Sequence, residues 1–81
     1  MTKIVLWGAL KSATGGRESV DIEARDIREM FRKLEDEFPG LKPHIERGIA
    51  VSINGTIYRD TWSQRLPSDT EVYLLPRIAG G

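Results

Sequence analysis

The chain contains no cysteine. Disulfides, thiolate metal sites and a thiol nucleophile are therefore excluded, and the composition is compatible with a reducing compartment. Histidine is almost as scarce. His44 stands alone beside Pro43, with no partner at a useful spacing, and reads as a loop residue rather than a catalytic one. Net charge is also missing: 12 basic residues balance 12 acidic ones. A general nucleic-acid binder needs a surplus of Lys and Arg, so that class is disfavoured. No run approaches the roughly 20 apolar residues of a membrane span. The apolar start, Met1 to Trp7, is too short for a secretory signal. The expected setting is soluble and cytoplasmic.

What is present fits one small domain. At 81 residues, such a chain buries only about 60–65% of its unfolded surface. One sheet with one helix fits that size; a deep substrate cavity does not.

Residues 3–9 alternate as a strand with Ile4 and Leu6 on one side and Val5 and Trp7 on the other. Both sides are apolar, as in a central strand. Residues 12–17, with Gly15-Gly16, read as a hairpin turn. Residues 18–23 alternate cleanly, with Val20 and Ile22 inward. The helix signal is the clearest. Asp26 is the N-cap candidate and Glu29 completes a capping box. Ile27, Met30, Phe31, Leu34 and Phe38 form one apolar stripe, and Glu29 and Lys33 are placed for an i,i+4 ion pair. Pro39-Gly40 stops the helix, and residues 41–48 read as a connection.

Residues 49–53 form a third strand. Asn54-Gly55 then supplies the two positive-φ positions of a type I′ hairpin turn before Thr56-Ile57-Tyr58. Residues 60–66 suggest a short helical turn, and residues 67–70 a β-turn. Residues 71–75 form the last strand, stopped by Pro76. With one helix, only one face of a mixed sheet can be covered. If the first and last strands are neighbours, Val5, Trp7, Tyr73 and Leu75 fall on the other face. Trp7 and Trp62 are each compatible with core packing or with partner contact.

The end of the chain is Arg77-Ile78-Ala79-Gly80-Gly81. Two terminal glycines carry no side chains and can thread a narrow channel. The reactive group there is the Gly81 α-carboxylate, ionised at neutral pH and a poor electrophile until activated.

Several motifs together carry a family resemblance over the whole chain. They are the opening strand at Lys3 to Trp7, the Ala13-Thr14-Gly15-Gly16 loop, the helix end Phe38-Pro39-Gly40-Leu41, and Val51-Ser52-Ile53-Asn54-Gly55. The most specific is Leu66-Pro67-Ser68-Asp69-Thr70-Glu71-Val72-Tyr73-Leu74-Leu75-Pro76 followed by Gly80-Gly81. The chain resembles the ubiquitin-like sulfur carriers, the family of the molybdopterin synthase small subunit (MoaD) and the thiamine-pathway carrier (ThiS). Pro67 and Thr70 depart from the family's usual turn pattern before the last strand.

The resemblance implies an α+β, β-grasp fold: a mixed sheet of four to five strands with one main helix, spanning residues 1–76, and a flexible tail at 77–81. It implies a carrier rather than an enzyme. A ubiquitin-activating-type adenylyltransferase would use ATP to adenylate Gly81, and a thiocarboxylate formed there would donate sulfur on a sulfur-accepting synthase or large subunit. No cofactor or metal is expected on the chain itself. Gly80 and Ala79 would thread the partner's channel. Arg77, Ile78, Trp7, Tyr73 and Leu75 would contact the partner. Chain length favours the molybdopterin branch, while Thr14-Gly15-Gly16 and Pro39-Gly40-Leu41 also resemble carriers of the cysteine branch. Two other classes stay open: a protein modifier forming isopeptide bonds, and a non-covalent interaction module. Other local clusters are weaker. Glu35, Asp36 and Glu37 read as a solvated helix face, and Thr14 to Arg17 precedes a strand, so it is no phosphate loop.

Overall fold

The computed structural model describes residues 1–59 and 61–76. Five strands form one mixed sheet: β1 (Thr2–Val5), β2 (Ser19–Ile22), β3 (Ile49–Ile53), β4 (Thr56–Tyr58) and β5 (Glu71–Pro76). Their spatial order is β2-β1-β5-β3-β4. The central pair β1 and β5 is parallel, and every other pair is antiparallel. Three helices accompany the sheet: α1 (Ala9–Ala13), α2 (Ile27–Glu37) and α3 (Lys42–Arg47), the last preceded by a 3-10 turn at Pro39–Leu41.

The expected stripe on α2 is the centre of the core. Ile27, Met30, Phe31 and Leu34 are all buried. They meet Ile4, Val20, Ile22, Val51, Ile53, Val72 and Leu74, the inward set of the strands. Phe38, the last member of the stripe, is only half-buried at the helix C-cap. The Arg17 guanidinium lies 5.7 Å from its ring centroid.

The helix start is capped as expected. The Glu29 N–H donates to Asp26 Oδ1 at 2.8 Å. The reciprocal bond is displaced by one residue, with Glu29 Oε1 accepting from the Arg25 N–H at 2.8 Å. Asp26→Ala is expected to cost about 1 kcal/mol, read from urea denaturation, because one first-turn amide loses its partner. The Glu29–Lys33 pair is not formed. Glu29 pairs with Arg25 at 3.7 Å, and Lys33 Nζ donates to the Glu23 carbonyl.

Three segments differ from the reading of the sequence. The first strand ends at Val5 instead of reaching residue 9. Gly8 has φ 52°, which breaks the extended run, and α1 follows with Leu10 fully buried. The β1–β2 link is consequently a helix-bearing connection rather than a tight turn. Thr14 closes α1 by donating its hydroxyl to the Leu10 and Lys11 carbonyls, at 3.1 and 2.9 Å. Residues 41–48 are likewise helical. Leu41 and Ile45 are buried one helical turn apart, and Pro43 sits in the first turn of α3, where its missing N–H costs nothing. His44 therefore lies on α3 and is half-buried.

The third difference is at residues 61–66, which are not helical. Their backbone groups serve α2 instead. The Ile27 and Arg28 N–H groups donate to the Gln64 and Trp62 carbonyls, each at 3.0 Å, and the Leu66 N–H donates to the Arg25 carbonyl at 2.9 Å. The Ile27 and Arg28 groups are orphan amides of the helix start, and the irregular segment satisfies them.

The Asn54-Gly55 turn is as expected, with φ 50° and 84°, and it sets the register Ile53↔Thr56. Gly55→Ala is expected to destabilise the domain by about 1–2 kcal/mol, the cost of a β-carbon in left-handed backbone, measured as a lower urea midpoint. Gly40 has a different reason to be glycine. A β-carbon there would stand 3.0 Å from the Ala13 carbonyl oxygen. The Pro39-Gly40 stop is thus also the point where the chain after α2 packs against α1.

Candidate functional site

Because every core-facing strand residue turns toward the helices, the opposite face of the sheet is uncovered. Register places its residues in rows. Val5 of β1 stands beside Tyr73 of β5, Tyr73 beside Ser52 of β3, and Ser52 beside Ile57 of β4. Leu75 pairs with Ala50. Val5, Tyr73, Leu75, Ala50 and Ser52 are half-buried, whereas Ile57 is 53% exposed. The expectation that Val5, Tyr73 and Leu75 share the uncovered face holds because β1 and β5 are neighbours.

Ala50 and Ile57 belong to the same face and escaped the reading of the sequence. The signal was available in two parts. Ile49, Val51 and Ile53 point inward, so Ala50 and Ser52 must point outward. The Asn54-Gly55 turn then fixes which β4 residue faces Ser52.

Trp7 lies just beyond β1. Alternation continues through buried Leu6, whose N–H donates to the Glu18 carbonyl at 2.9 Å. Trp7 itself is 54% exposed and contributes nothing to the core cluster. Trp62 has the opposite character. It is half-buried against the core, its ring 5.1 Å from that of Phe31 and inclined at 51°.

Tyr73 brings a polar group to the face. Its hydroxyl donates to Glu71 Oε1 at 2.9 Å. That bond, reinforced by the negative charge of Glu71, raises the phenol above its ordinary range. Deprotonating Tyr73 would lose the bond and set two negative charges together, so the hydroxyl stays a neutral donor at physiological pH.

β5 leads directly to the other candidate residues. Its last residue, Pro76, pairs with Ile49 at the start of β3. The strand thus runs one residue further than expected and includes the proline. Arg77, Ile78, Ala79, Gly80 and Gly81 lie outside the described residues. Among the described residues, no group of three or more His, Asp or Glu side chains is placed to hold a metal ion, and no helix is long and apolar enough to cross a membrane.

Comparison with known proteins agrees with this architecture. The CysO-containing structure of the Amycolatopsis orientalis BexX/CysO complex superposes with a TM-score of 0.81 at 21% identity, covering 100% of both chains. Small archaeal modifier protein 1 from Methanosarcina acetivorans gives a TM-score of 0.82 at 24% identity, over 99% of this chain and 95% of that one. A complex of subunits 1 and 2 of the molybdopterin-converting factor from Helicobacter pylori gives 0.69 at 26% identity, over 99% of this chain and 97% of that one. The fold is the ubiquitin-like β-grasp. No curated protein sequence matches the chain. The sequence model of the ThiS family, however, matches residues 4–81, from the first strand through both terminal glycines. The chain belongs to the ThiS family of ubiquitin-like sulfur carriers.

Proposed function

We propose that this protein carries sulfur as a thiocarboxylate on Gly81 and delivers it to a biosynthetic enzyme. The observation that carries this reading is the family match running through Gly80-Gly81. In the first step the Gly81 carboxylate attacks the α-phosphorus of ATP on an activating enzyme of the ubiquitin-activating type. Pyrophosphate leaves and an acyl adenylate forms. Hydrosulfide released by a sulfur donor then attacks the acyl carbon, the bond from that carbon to the phosphate oxygen breaks, AMP leaves, and the thiocarboxylate remains on the carrier with no change in oxidation state. The domain is not the catalyst; it presents the tail. Gly80 and Ala79 supply the steric clearance for threading, and Arg77 and Ile78 contact the partner beyond Pro76.

The uncovered face fits the role of a grip. Val5, Tyr73, Leu75 and Ile57 make a contiguous, largely apolar row structure that ends at the root of the tail. An exposed aromatic beside such a face suits an interface hot spot. Trp7→Ala is expected to leave the urea midpoint nearly unchanged, since the side chain is 54% exposed, and to weaken binding to the activating enzyme by about 2 kcal/mol. Isothermal titration against that enzyme checks it; a variant that unfolds instead would place Trp7 in the core.

Among destinations for the sulfur, a synthase of the molybdopterin type is favoured, with the Helicobacter pylori two-subunit complex as the supporting likeness. Thiamine and cysteine synthesis are the other branches. A second reading, protein modification, is supported by the likeness to small archaeal modifier protein 1. It shares the acyl adenylate and differs in the nucleophile, a lysine amine in place of sulfur. Incubation with activating enzyme, ATP, a sulfur donor and a lysine-bearing acceptor protein separates the two, giving either a thiocarboxylate on the free carrier or an isopeptide-linked adduct.

A further inference from the structure

A concave surface lies on the helical side of the molecule. It is an open cleft of about 860 Å³ between α2 (Arg28, Glu35), the end of α3 (Glu46, Arg47) and the segment carrying Arg59 and Trp62, floored in part by Ile45 and Ile49. In a chain with no net charge, three arginines converge on it from three separate elements. All three are exposed. Among the described residues none of them has a carboxylate within ion-pair distance, the ion pairs there being Met1–Asp69, Lys11–Glu18 and Arg25–Glu29. The cleft is built rather than incidental. The Arg28 N–H donates to the Trp62 carbonyl at 3.0 Å, and the Trp62 ring is seated on Phe31.

Its position relates it to the tail. Ile49 lines the cleft and is the sheet partner of Pro76, so the two backbones are about 5 Å apart there. Any protein that takes the tail beyond Pro76 is brought to the rim of this cleft.

We infer that the cleft docks an acidic, extended segment of the protein partner that holds the tail, with Arg28, Arg47 and Arg59 reading its carboxylates and Trp62 its apolar side chains. Arginine forks suit carboxylates, which they bind in a bidentate manner. Glu35 and Glu46 on the same walls would repel a compact, highly charged phosphate. An extended segment whose acidic side chains are spaced apart avoids them. The inference rests on the carrier reading only for what brings a partner to this end of the sheet.

The test needs neither an activating enzyme nor sulfur, so its failure is separate from failure of the carrier reading. In a Trp7→Phe background Trp62 is the remaining tryptophan, and its fluorescence reports on the cleft. The probe is a short synthetic peptide alternating glutamate with valine, compared with the same peptide carrying glutamine for glutamate and with inorganic pyrophosphate. The expected result is a saturable Trp62 response to the glutamate peptide alone, weakened about tenfold by combined Arg28→Gln, Arg47→Gln and Arg59→Gln. A melting curve of this variant, expected to match that of the parent, checks that it remains folded. No saturable response, an equal response to the glutamine peptide, or indifference to the three substitutions would overturn the proposal. Tighter binding of pyrophosphate than of peptide would also overturn it, making the cleft a small-anion site.

Discussion

Deleting Gly80 and Gly81 is expected to abolish adenylation while leaving the domain's stability unchanged. The deletion still leaves a terminal carboxylate, now on Ala79, so chemistry of the group is not what is lost. Reach is lost. Two extended residues span about 7 Å, and a reacting group displaced by as little as 1 Å can lose about 10²-fold in rate. The new carboxylate also carries the Ala79 side chain into a space that Gly81 leaves empty. ATP–pyrophosphate exchange catalysed by the activating enzyme should therefore fall to background. Thermal unfolding should coincide with that of the full chain, because the described core lies entirely within residues 4–74. Exchange at the full-length rate would remove the tail from the mechanism.

The largest expected effect on the fold comes from Phe31→Ala. Phe31 is 2% exposed and occupies the middle of the α2 stripe, between the sheet and the Trp62 ring. Truncation removes its buried surface and leaves a cavity that the fixed helix and sheet cannot close. The expected cost is about 3–5 kcal/mol, against a total stability of about 5–15 kcal/mol for a natural domain. For a domain of this size each kcal/mol lowers Tm by about 4–8 °C. Urea and thermal denaturation should both show the loss. Trp62 should also lose its packing partner, so the cleft beside it should loosen in the same variant, seen as a red-shifted Trp62 emission in the Trp7→Phe background. A loss below about 1 kcal/mol would mean that α2 is not the centre of the core.

The elements that were legible in the sequence are those whose signals are local and redundant. The α2 stripe is repeated over three turns, and its start is marked by both Asp26 and Glu29. The β3–β4 hairpin has two β-prone runs joined by the dipeptide that a type I′ turn requires. The outward face followed from alternation in β1 and β5. The two short helices were missed because a helix of about five residues has too few turns to show a period. In α1 only Leu10 is buried, and strand-like alternation in residues 3–9 obscured its start. In α3 the Leu41–Ile45 spacing was present, but two apolar positions in a six-residue helix carrying a proline in its first turn are too few to separate it from a connection. The segment 61–66 is settled by a partner distant in sequence, the orphan amides of α2, and no local pattern announces such a role. The Arg28–Arg47–Arg59 cleft was hidden for the same reason. Its residues come from three elements and meet only once α2, α3 and the segment after β4 are packed together.

The central claim is that this domain is a handle for a carboxylate that becomes a thiocarboxylate. Intact-mass measurement of the full chain after incubation with its activating enzyme, ATP and a sulfur donor tests it most directly. The account predicts a gain equal to the difference between one sulfur and one oxygen atom, located by fragmentation at Gly81 and absent when ATP is withheld. An unchanged mass under conditions in which the activating enzyme consumes ATP with this chain would contradict it.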